Sequence, residues 1–398
     1  MLSVLLAFDL LTVVLKPSVT ANRDIAHNLP VGKWIPIGLT INNNSRRAVT
    51  LDIFDNHPET FNSEGLAYTC RVPSQQNLHF QYKTQALQRG DHVFSFVEIR
   101  HYSLLKLWKS QFKIACEDAV KVYPNFADMQ YLSILAADNQ LSRLGIYRNQ
   151  RRGSGLEFHQ LREYQQGDSV RQIDWHATSK HRKLISKEFQ EERDQEIICL
   201  LDCSRRMRGL DQGKAYFDHA LNAMIQLGQI IVRQGDAFGF FAFSGHERWF
   251  KPRKGFAAIN SVLNNIYDLH ATNAPSDYLF AAEKLMKLQK KRSLVIVVTN
   301  TRNEDNQDMM AAVHLLQRKH LVVIADLRDP IFDSIESQAI NSPESARLHL
   351  ESSLYLNQRR ENHMRLKHEK LLVLDTSSQE LPLKLIQSYF EIKRLNSL

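Results

Sequence analysis

The chain has 398 residues, 43% of them hydrophobic and 24% charged, a balance that excludes a disordered polymer and leaves room for about two or three domains with ordinary cores. Its net charge of +8 and pI near 9.2 favour acidic partners, whether nucleic acid or an anionic membrane face. Basic and acidic residues are interspersed, however, and no aromatic-plus-basic RNA signature or zinc-finger spacing occurs, so specific nucleic-acid binding is set aside.

Residues 1–15, MLSVLLAFDLLTVVL, are apolar except for Ser3, Asp9 and Thr12. As a helix they reach only about 22 Å against a hydrocarbon core of about 30 Å. Residues 1–16 therefore read as a membrane-associated segment: the tail of a transmembrane helix begun upstream, an interfacial anchor, or a signal peptide lacking a positive n-region. A buried N-terminal strand or helix is the bland alternative. Lys16 and Arg23 follow, and by the positive-inside rule they place the remainder in the cytoplasm.

From 25 to 124 short alternating runs such as WIPIGLTI, LHFQYKT and DHVFSFVEIR, separated by Asn, Pro, Gly and Ser clusters, predict an antiparallel β-sandwich. With no cluster of catalytic residue types, it reads as a docking or spacer module. Residues 125–152 form a polar, helical linker ending in Arg143, Arg148, Arg151 and Arg152, a solvated face or a site for acidic lipid or an acidic partner.

Charge, aromatics and turn residues are dense over 153–195. Gly167 and Asp168 mark a turn, flanked by Glu157, Arg162, Glu163, Arg171, Asp174 and Lys180, with Phe158, Tyr164, Ile173 and Trp175 as apolar anchors. Two readings stand. Glu157, Glu163, Asp168, Asp174, Glu188 and Lys187 are the ingredients of metal-assisted phosphodiester cleavage. Each acid also has an arginine or lysine within a few residues, so the segment reads more simply as a brace of self-neutralising ion pairs. His159, His176 and His181 are too irregularly spaced to share a metal.

Over 196–398 strand and helix alternate: IICLLD at 197–202, a helix over 214–234, AFGFFAFS at 237–244, helices over 257–270 and 277–290, SLVIVVTN at 293–300, a helix over 307–319, LVVIADL at 321–327, a charged helix over 343–369, LLVLDTS and a final helix. Continuous apolar strands between amphipathic helices predict an α/β domain whose mostly parallel sheet is covered on both faces. Its binding crevice lies at the carboxyl ends of the strands, where Asp202, Asn300 and Asp326 fall. The stripe Leu348, Leu350, Leu354, Leu356 and Met364 predicts that the 343–369 helix packs on the sheet, with a partner-binding groove as the alternative. The four cysteines, Cys70, Cys116, Cys199 and Cys203, show no C-x-x-C spacing, which argues against zinc and reads as core thiols.

Gly155, Glu157, Phe158, Leu161, Arg162, Tyr164, Gly167, Asp168, Arg171, Ile173 and Trp175 fill the pattern G-x-E-F-x-x-L-R-x-Y-x-x-G-D-x-x-R-x-I-x-W. This resembles the domain-of-unknown-function 58 family, in which the pattern precedes a von Willebrand factor A-like domain. The stretch after it departs from the family, reading His176, Ala177, Thr178, Ser179 and Lys180 in place of lysine-alanine-small-alanine-arginine. The resemblance implies a Rossmann-type A-like domain and a start inside the second of two transmembrane helices. It also implies work beside MoxR-type AAA+ ATPases and other A-domain proteins at the inner, cytoplasmic membrane.

A-domains bind a divalent ion through D-x-S-x-S, a threonine and a later aspartate. Here Asp202 and Ser204 match, Arg206 replaces the second serine, Thr272 is the candidate threonine, and Asn300 stands where the aspartate is expected. The preferred expectation is a degenerate site without metal, its charge answered by an Asp202 to Arg206 ion pair; weak magnesium binding with Arg206 turned away is the alternative. Glu157, Arg162, Tyr164, Asp168, Arg171, Asp174, Trp175, Arg206 and Asn300 are then structural or partner-binding residues. The resulting expectation is a non-enzymatic, membrane-associated adaptor without a required cofactor. Its rivals are a metal-dependent hydrolase and an anion site at Arg205, Arg206 and Arg208.

Overall fold

A computed structural model describes residues 16–103, 105–124, 157–165, 170–190 and 195–395, with 6, 9–10 and 12–14 near the start. It divides into one unit of Met1–Asp128 with Ile266–Asp268 and a second of Met129–Asn265 with Leu269–Leu398. The 125–152 linker and the signature positions Gly155, Gly167 and Asp168 lie outside the described residues.

The first unit holds β1 (Val19–Asp24), β2 (Asn28–Pro30), β3 (Trp34–Asn43), β4 (Val49–Asp55), β5 (Phe61–Glu64), β6 (Tyr68–Val72), β7 (Asn77–Ala86), β8 (Gly90–Tyr102) and β9 (Lys109–Tyr123). They form two sheets of order β1-β3-β7-β5 and β2-β9-β8-β4-β6. All pairings are antiparallel except the short β2 with β9. Alternation decides which side chains face inward: in β7, Phe80, Tyr82, Thr84 and Ala86 are buried while Gln81 and Lys83 are exposed. Ile37, Leu39, Ile41, Leu51, Ile53, Phe94, Val97 and Ile99 complete the core.

An ion pair sits inside that core. Arg23 on β1 donates from Nε and Nη2 to the two oxygens of Asp55 on β4, at 2.9 and 2.6 Å, and from Nη1 to Asp118 on β9 at 2.6 Å. The Tyr82 hydroxyl donates to the same Asp55 at 2.6 Å. The fork thus ties one sheet to the other. Arg23 is therefore a buried structural residue, which corrects its reading as an exposed charge flanking a membrane segment, and the sandwich begins at Val19 rather than at 25. Of the residues before it, Leu6, Asp9, Leu10, Thr12, Val13 and Val14 are helical, and among the described residues no helix is long and apolar enough to cross a membrane.

In the second unit, β10 (Glu157–Glu163) and β11 (Ile185–Gln190) pair antiparallel, with the short α1 (Trp175–His181) between them in sequence. A mixed sheet follows, built from β12 (Glu196–Asp202), β15 (Ala237–Phe243), β16 (Arg248–Arg253), β17 (Leu294–Thr299), β18 (Leu321–Leu327) and β19 (Leu372–Thr376); the two-residue strands β13 (Leu210–Asp211) and β14 (Lys214–Ala215) make a separate hairpin. Its order is β16-β15-β12-β17-β18-β19, parallel throughout except for the β16 edge. The chain builds outward from β12 first to one side and then to the other, so the crevice beyond the ends of β12 and β17 is a switch point of the kind that binds ligands.

The helices are α2 (Tyr216–Arg233), α3 (Phe256–Ile266), α4 (Tyr278–Leu288), α5 (Asn306–Gln317), α6 (Pro330–Ser337), α7 (Pro343–His368) and α8 (Leu381–Arg394). Ile198 and Leu200 point to a core shared with Ala281 and Leu285 of α4 and Met309, Val313 and Leu316 of α5. Cys199 and Cys203 are buried, Cys70 and Cys116 half-buried, and all four are free thiols. On α7 the apolar stripe does not face the sheet: Leu348, Leu350, Leu354 and Met364 are exposed, and the buried positions are Ser352, Arg359, His363 and Leu366. This corrects the stripe as the packing face, while the helix does lie against β19 and its Leu366 joins the core of the sheet with Val322, Leu371 and Val373. Two carboxylates beneath the helix recruit its arginine and histidine, and that polar anchoring overrides the apolar stripe.

Replacing Arg23 by Leu leaves Asp55 buried without its cation, and we expect a loss of about 3–5 kcal/mol in the sandwich unfolding transition. The double variant Arg23→Leu/Asp55→Leu should recover a substantial part of it, as read by urea denaturation.

Candidate functional site

Asp202 ends the buried strand β12 and is itself fully buried. Its Oδ1 accepts the Ser204 amide at 2.9 Å; its Oδ2 accepts from Thr299 Oγ1 at 2.7 Å and lies 3.0 Å from Ser276 Oγ, which in turn is 2.9 Å from Ser204 Oγ. Tyr278 donates its hydroxyl to Thr299 Oγ1 at 2.8 Å, and its own pKa is pushed up by burial and by Asp202. Four segments therefore converge: the β12 turn, the loop before α4, the first turn of α4 and the end of β17. Ser276 is the half-exposed member.

The expected ion pair is absent. Arg206 lies in a short 3-10 turn, Arg205–Arg208, and its guanidinium reaches Glu304 at 3.1 Å and Asp305 instead of Asp202. The acids around the turn into α5 capture it. Asp202 is left among neutral donors, and burial lifts its pKa above the ordinary value; hydrogen bonds from Thr299, Ser204 and Ser276 oppose this without cancelling it.

Thr272 does not supply the hydroxyl expected of it. Its Oγ1 donates within the loop, lying 3.0 and 3.1 Å from the carbonyls of Cys203 and Ser244, and it packs where a Cβ on Gly245 would overlap it. Gly245 has a φ of +100°, so glycine and Thr272 together fix the loop that presents Ser276. Ser276 is the residue that sequence reasoning missed: nothing in PSDY distinguishes a site serine from a helix-capping one. Asn300 is buried next to the site, and its Oδ1 has no hydrogen-bond partner.

Among the described residues no group of three His, Cys, Asp or Glu side chains could hold a metal ion, so a cation here would depend on one carboxylate and hydroxyl oxygens whose spacing is that of hydrogen-bonded partners. Ligands about 2.1 Å from one magnesium lie about 3 Å apart along an octahedral edge, close to the spacings from Asp202 Oδ2 to Ser276 Oγ and from there to Ser204 Oγ. Asp202, Ser204 and Ser276 would hold the ion, with Asn300 Oδ1 as a nearby neutral acceptor.

A second carboxylate lies at the end of β18. Asp326 accepts from Thr301 N at 2.8 Å and Thr301 Oγ1 at 2.7 Å, and pairs with Arg359 at 2.9 Å and His363 at 2.7 Å. Burial alone would raise its pKa. The Arg359 charge, then His363, then Thr301 overcome that and hold it below the ordinary value. Arg359 also pairs with Asp375 at 3.1 Å and lines a cavity of about 230 Å³ with Arg328, Arg360, His363 and Lys367.

Two acids of the signature segment, Asp174 and Glu163, are paired with lysines. Asp174 caps α1 by accepting the His176 and Ala177 amides at 3.0 Å and pairs with Lys187 at 3.3 Å. Glu163 pairs with Lys183 at 2.8 Å, and Arg162 donates to the Glu163 carbonyl at 3.1 Å. Tyr164 joins the hairpin by its amide to Leu184 O at 2.9 Å. Trp175 is 65% exposed, a correction to its reading as an anchor: it opens α1, whose buried residue is Ala177. The backbones of Glu157 and Arg171 lie in β10 and in the 3-10 turn Val170–Gln172. Of the arginines suggested for an anion site, Arg206 is held by acids and Arg208 contacts Asn273 Oδ1, while Arg205 is exposed.

Residues 160–370 match the family described as "Protein of unknown function DUF58", just over half of the sequence. The chain belongs to the DUF58 family. The uncharacterized protein YeaD of Bacillus subtilis (strain 168) is 21% identical over 273 residues, covering 67% of this chain and 63% of that protein, so the DUF58 chain spans less than two thirds of that relative's length. Solved structures with partial similarity include an aerotolerance-related membrane protein from Bacteroides fragilis, with 16% identity and a TM-score of 0.26 over 33% of this chain and 67% of that one. Salmonella alpha-2-macroglobulin reacted with methylamine shows 15% identity and a TM-score of 0.22, over 27% and 7%.

The two buried carboxylates of the DUF58 chain should respond oppositely to mutation. Asp202→Asn removes a charge with no buried cation beside it and should leave stability unchanged or raise it by about 1 kcal/mol, whereas Thr299→Val should lower it by about 1–3 kcal/mol. Arg359→Leu should cost about 3–5 kcal/mol at neutral pH. In the wild type, Asp326 stabilises above its unfolded pKa, and that contribution is lost as pH falls through the lower folded value. Without Arg359, burial dominates and its folded pKa rises, so the gap between variant and wild type should narrow as pH falls towards the carboxylate range. Thermal unfolding across pH reads all three.

Proposed function

We propose that this DUF58 chain is a non-enzymatic, membrane-associated adaptor whose second unit is a von Willebrand factor A-like domain, with the strand-end cluster as its protein-binding face. The observation that carries this reading is Asp202, buried without a cation among Ser204, Ser276 and Thr299 at the switch point of the sheet. A divalent ion seated on Asp202, Ser204 and Ser276 would leave open positions for a carboxylate of the partner, so recognition needs no bond to be made or broken. The lost Asp202 to Arg206 pair favours this cation-bearing form over the metal-free one read from sequence. In this reading the partner is a MoxR-type AAA+ ATPase or another A-domain protein, as the family resemblance implies, and the N-terminal segment is the link to the inner membrane with the remainder in the cytoplasm.

The hydrolase alternative needs carboxylates free to converge. Against it, the described acids Glu163 and Asp174 are each closed on a lysine, and Asp174 is spent as a helix cap.

Calorimetry with magnesium or manganese should show one ion per chain, lost in Asp202→Ala, weakened in Ser276→Ala and little changed in Thr272→Val. Co-purification of a MoxR-type AAA+ ATPase with the intact chain should fall in Asp202→Ala and on chelation. Turnover of a phosphodiester by the purified chain, or ATPase recovery indifferent to Asp202, would defeat the adaptor reading.

A further inference from the structure

The N-terminal helical segment has two faces. Asp9 and Val13, four residues apart, are buried, while Leu6, Leu10 and Val14, also at intervals of four, are 39%, 42% and 65% exposed. The buried face is fastened to the tip of the β8–β9 hairpin. Asp9 accepts the Ser103 hydroxyl at 2.7 Å and the Leu105 amide at 2.9 Å; Ser103 Oγ also accepts the Trp108 amide at 3.0 Å. A His101 ring nitrogen lies 3.0 Å from the Val13 carbonyl, and Arg47 donates to the Thr12 carbonyl at 3.1 Å. The hairpin tip that this arrangement holds runs Leu105-Lys106-Leu107-Trp108-Lys109, and every one of those residues is exposed. The Lys106 amide turns back to Ser103 O at 3.0 Å, so the tip is a closed turn with its side chains outward.

From this geometry we propose that the outer face of the N-terminal helical segment and the 105–109 hairpin tip form one surface that seats in the headgroup layer of an anionic lipid bilayer. The proposal deepens the membrane association assumed above but is independent of the strand-end site. Large apolar side chains gathered at one place are unfavourable in water and mark an interaction surface. Their mixture with charge identifies the partner. Between His101 and Cys116 the sequence contains Lys106, Lys109 and Lys113 and no Asp or Glu, and the sole acid before Asp24 is Asp9, which is buried and bonded. Lys16, at the end of the segment, is exposed as well. A groove in a protein would have to desolvate the lysines alternating with Leu107 and Trp108. A headgroup layer takes both at once: leucine below the phosphates, tryptophan at their level, and lysine ammonium groups paired with lipid anions. Asp9 is here a positioning residue, because its carboxylate makes the helix and the loop a single surface.

The full chain should co-sediment with vesicles of phosphatidylcholine containing a minority of phosphatidylglycerol, more weakly with phosphatidylcholine alone, and less as salt rises. Leu107→Glu/Trp108→Glu should lower vesicle affinity by about tenfold or more, and so should Leu10→Glu. Lys106→Gln/Lys109→Gln, which leaves the apolar contacts intact, should lower affinity for the anionic vesicles alone, with unfolding temperature unchanged. Absence of binding, equal binding to neutral and anionic vesicles, wild-type binding by any of these variants, or a dimer that Leu107→Glu dissociates would each overturn the proposal. None of these outcomes bears on capture of the ATPase, so failure here and failure of the adaptor reading are told apart.

Discussion

Strand β17 lies between β12 and β18, and the three residues at its end, Thr299, Asn300 and Thr301, govern both neighbours. Thr299 donates to Asp202 of β12 and Thr301 to Asp326 of β18. Asp202 and Asp326 are both fully buried at their strand ends, so each carboxylate must be met by protein donors or by a ligand. Two threonines in one turn meet two aspartates. Asp326 has in addition Arg359 and His363, and its pKa is lowered; Asp202 has hydroxyls and an amide alone, and its pKa is raised. Equal burial gives opposite shifts because one partner set carries charge and the other does not. The absence of a cationic side chain beside Asp202 is what singles out that end of the sheet for the proposed function, while the Asp326 end is closed by Arg359 and His363.

Much of this was legible in the chain because it rests on local pattern. IICLLD, AFGFFAF and LVIVVT are continuous apolar runs, and each is a strand buried at nearly every position. The sandwich likewise follows from alternation. What sequence could not show were choices among long-range partners. Arg206 sits four residues from Asp202 but bonds to Glu304 and Asp305, roughly a hundred residues on, because the turn before α5 places two acids beside it. Arg23 was read as a membrane flank because its partners Asp55 and Asp118 are distant in sequence and invisible to any window. Thr272 and Ser276 lie four residues apart in one loop, and the carbonyls of Cys203 and Ser244 take the Thr272 hydroxyl while Ser276 reaches Asp202.

The 343–369 helix carries the same lesson in reverse. Its leucines read as a stripe, but Leu348 and Leu350, like Leu354 and Leu356, are two residues apart and fall on nearly opposite sides of a helix; the structure buries Arg359 and His363 and leaves Leu348, Leu350 and Leu354 exposed together with Ile331 of α6 and Ile340. Hydrophobic periodicity assumes that water is the competitor for every polar side chain. Here the competitors are Asp326 and Asp375. A buried carboxylate without a cation is costlier than several half-exposed leucines, so the ionic contacts set the rotation of the helix.

An asparagine at 202 would remove the buried charge and keep one acceptor oxygen, with its NH2 group requiring a neighbouring hydroxyl to turn and accept. The strand itself is held without that side chain, by β15 from Glu196 to Asp202 and by β17 from Ile197 to Leu201, and the carboxylate instead ties the β12 turn to the loop before α4 and to Thr299. Beside Thr299, the buried Asn300 has a side-chain oxygen without a hydrogen-bond partner. A carboxylate met only by neutral donors, an unpartnered amide oxygen and a half-exposed serine make sense together under the proposed function, in which a cation answers the buried charge and a partner's acidic group completes its shell. Arg206 is held away by Glu304 and Asp305 and so leaves that place open, which makes the substitution of arginine for the expected serine compatible with the site.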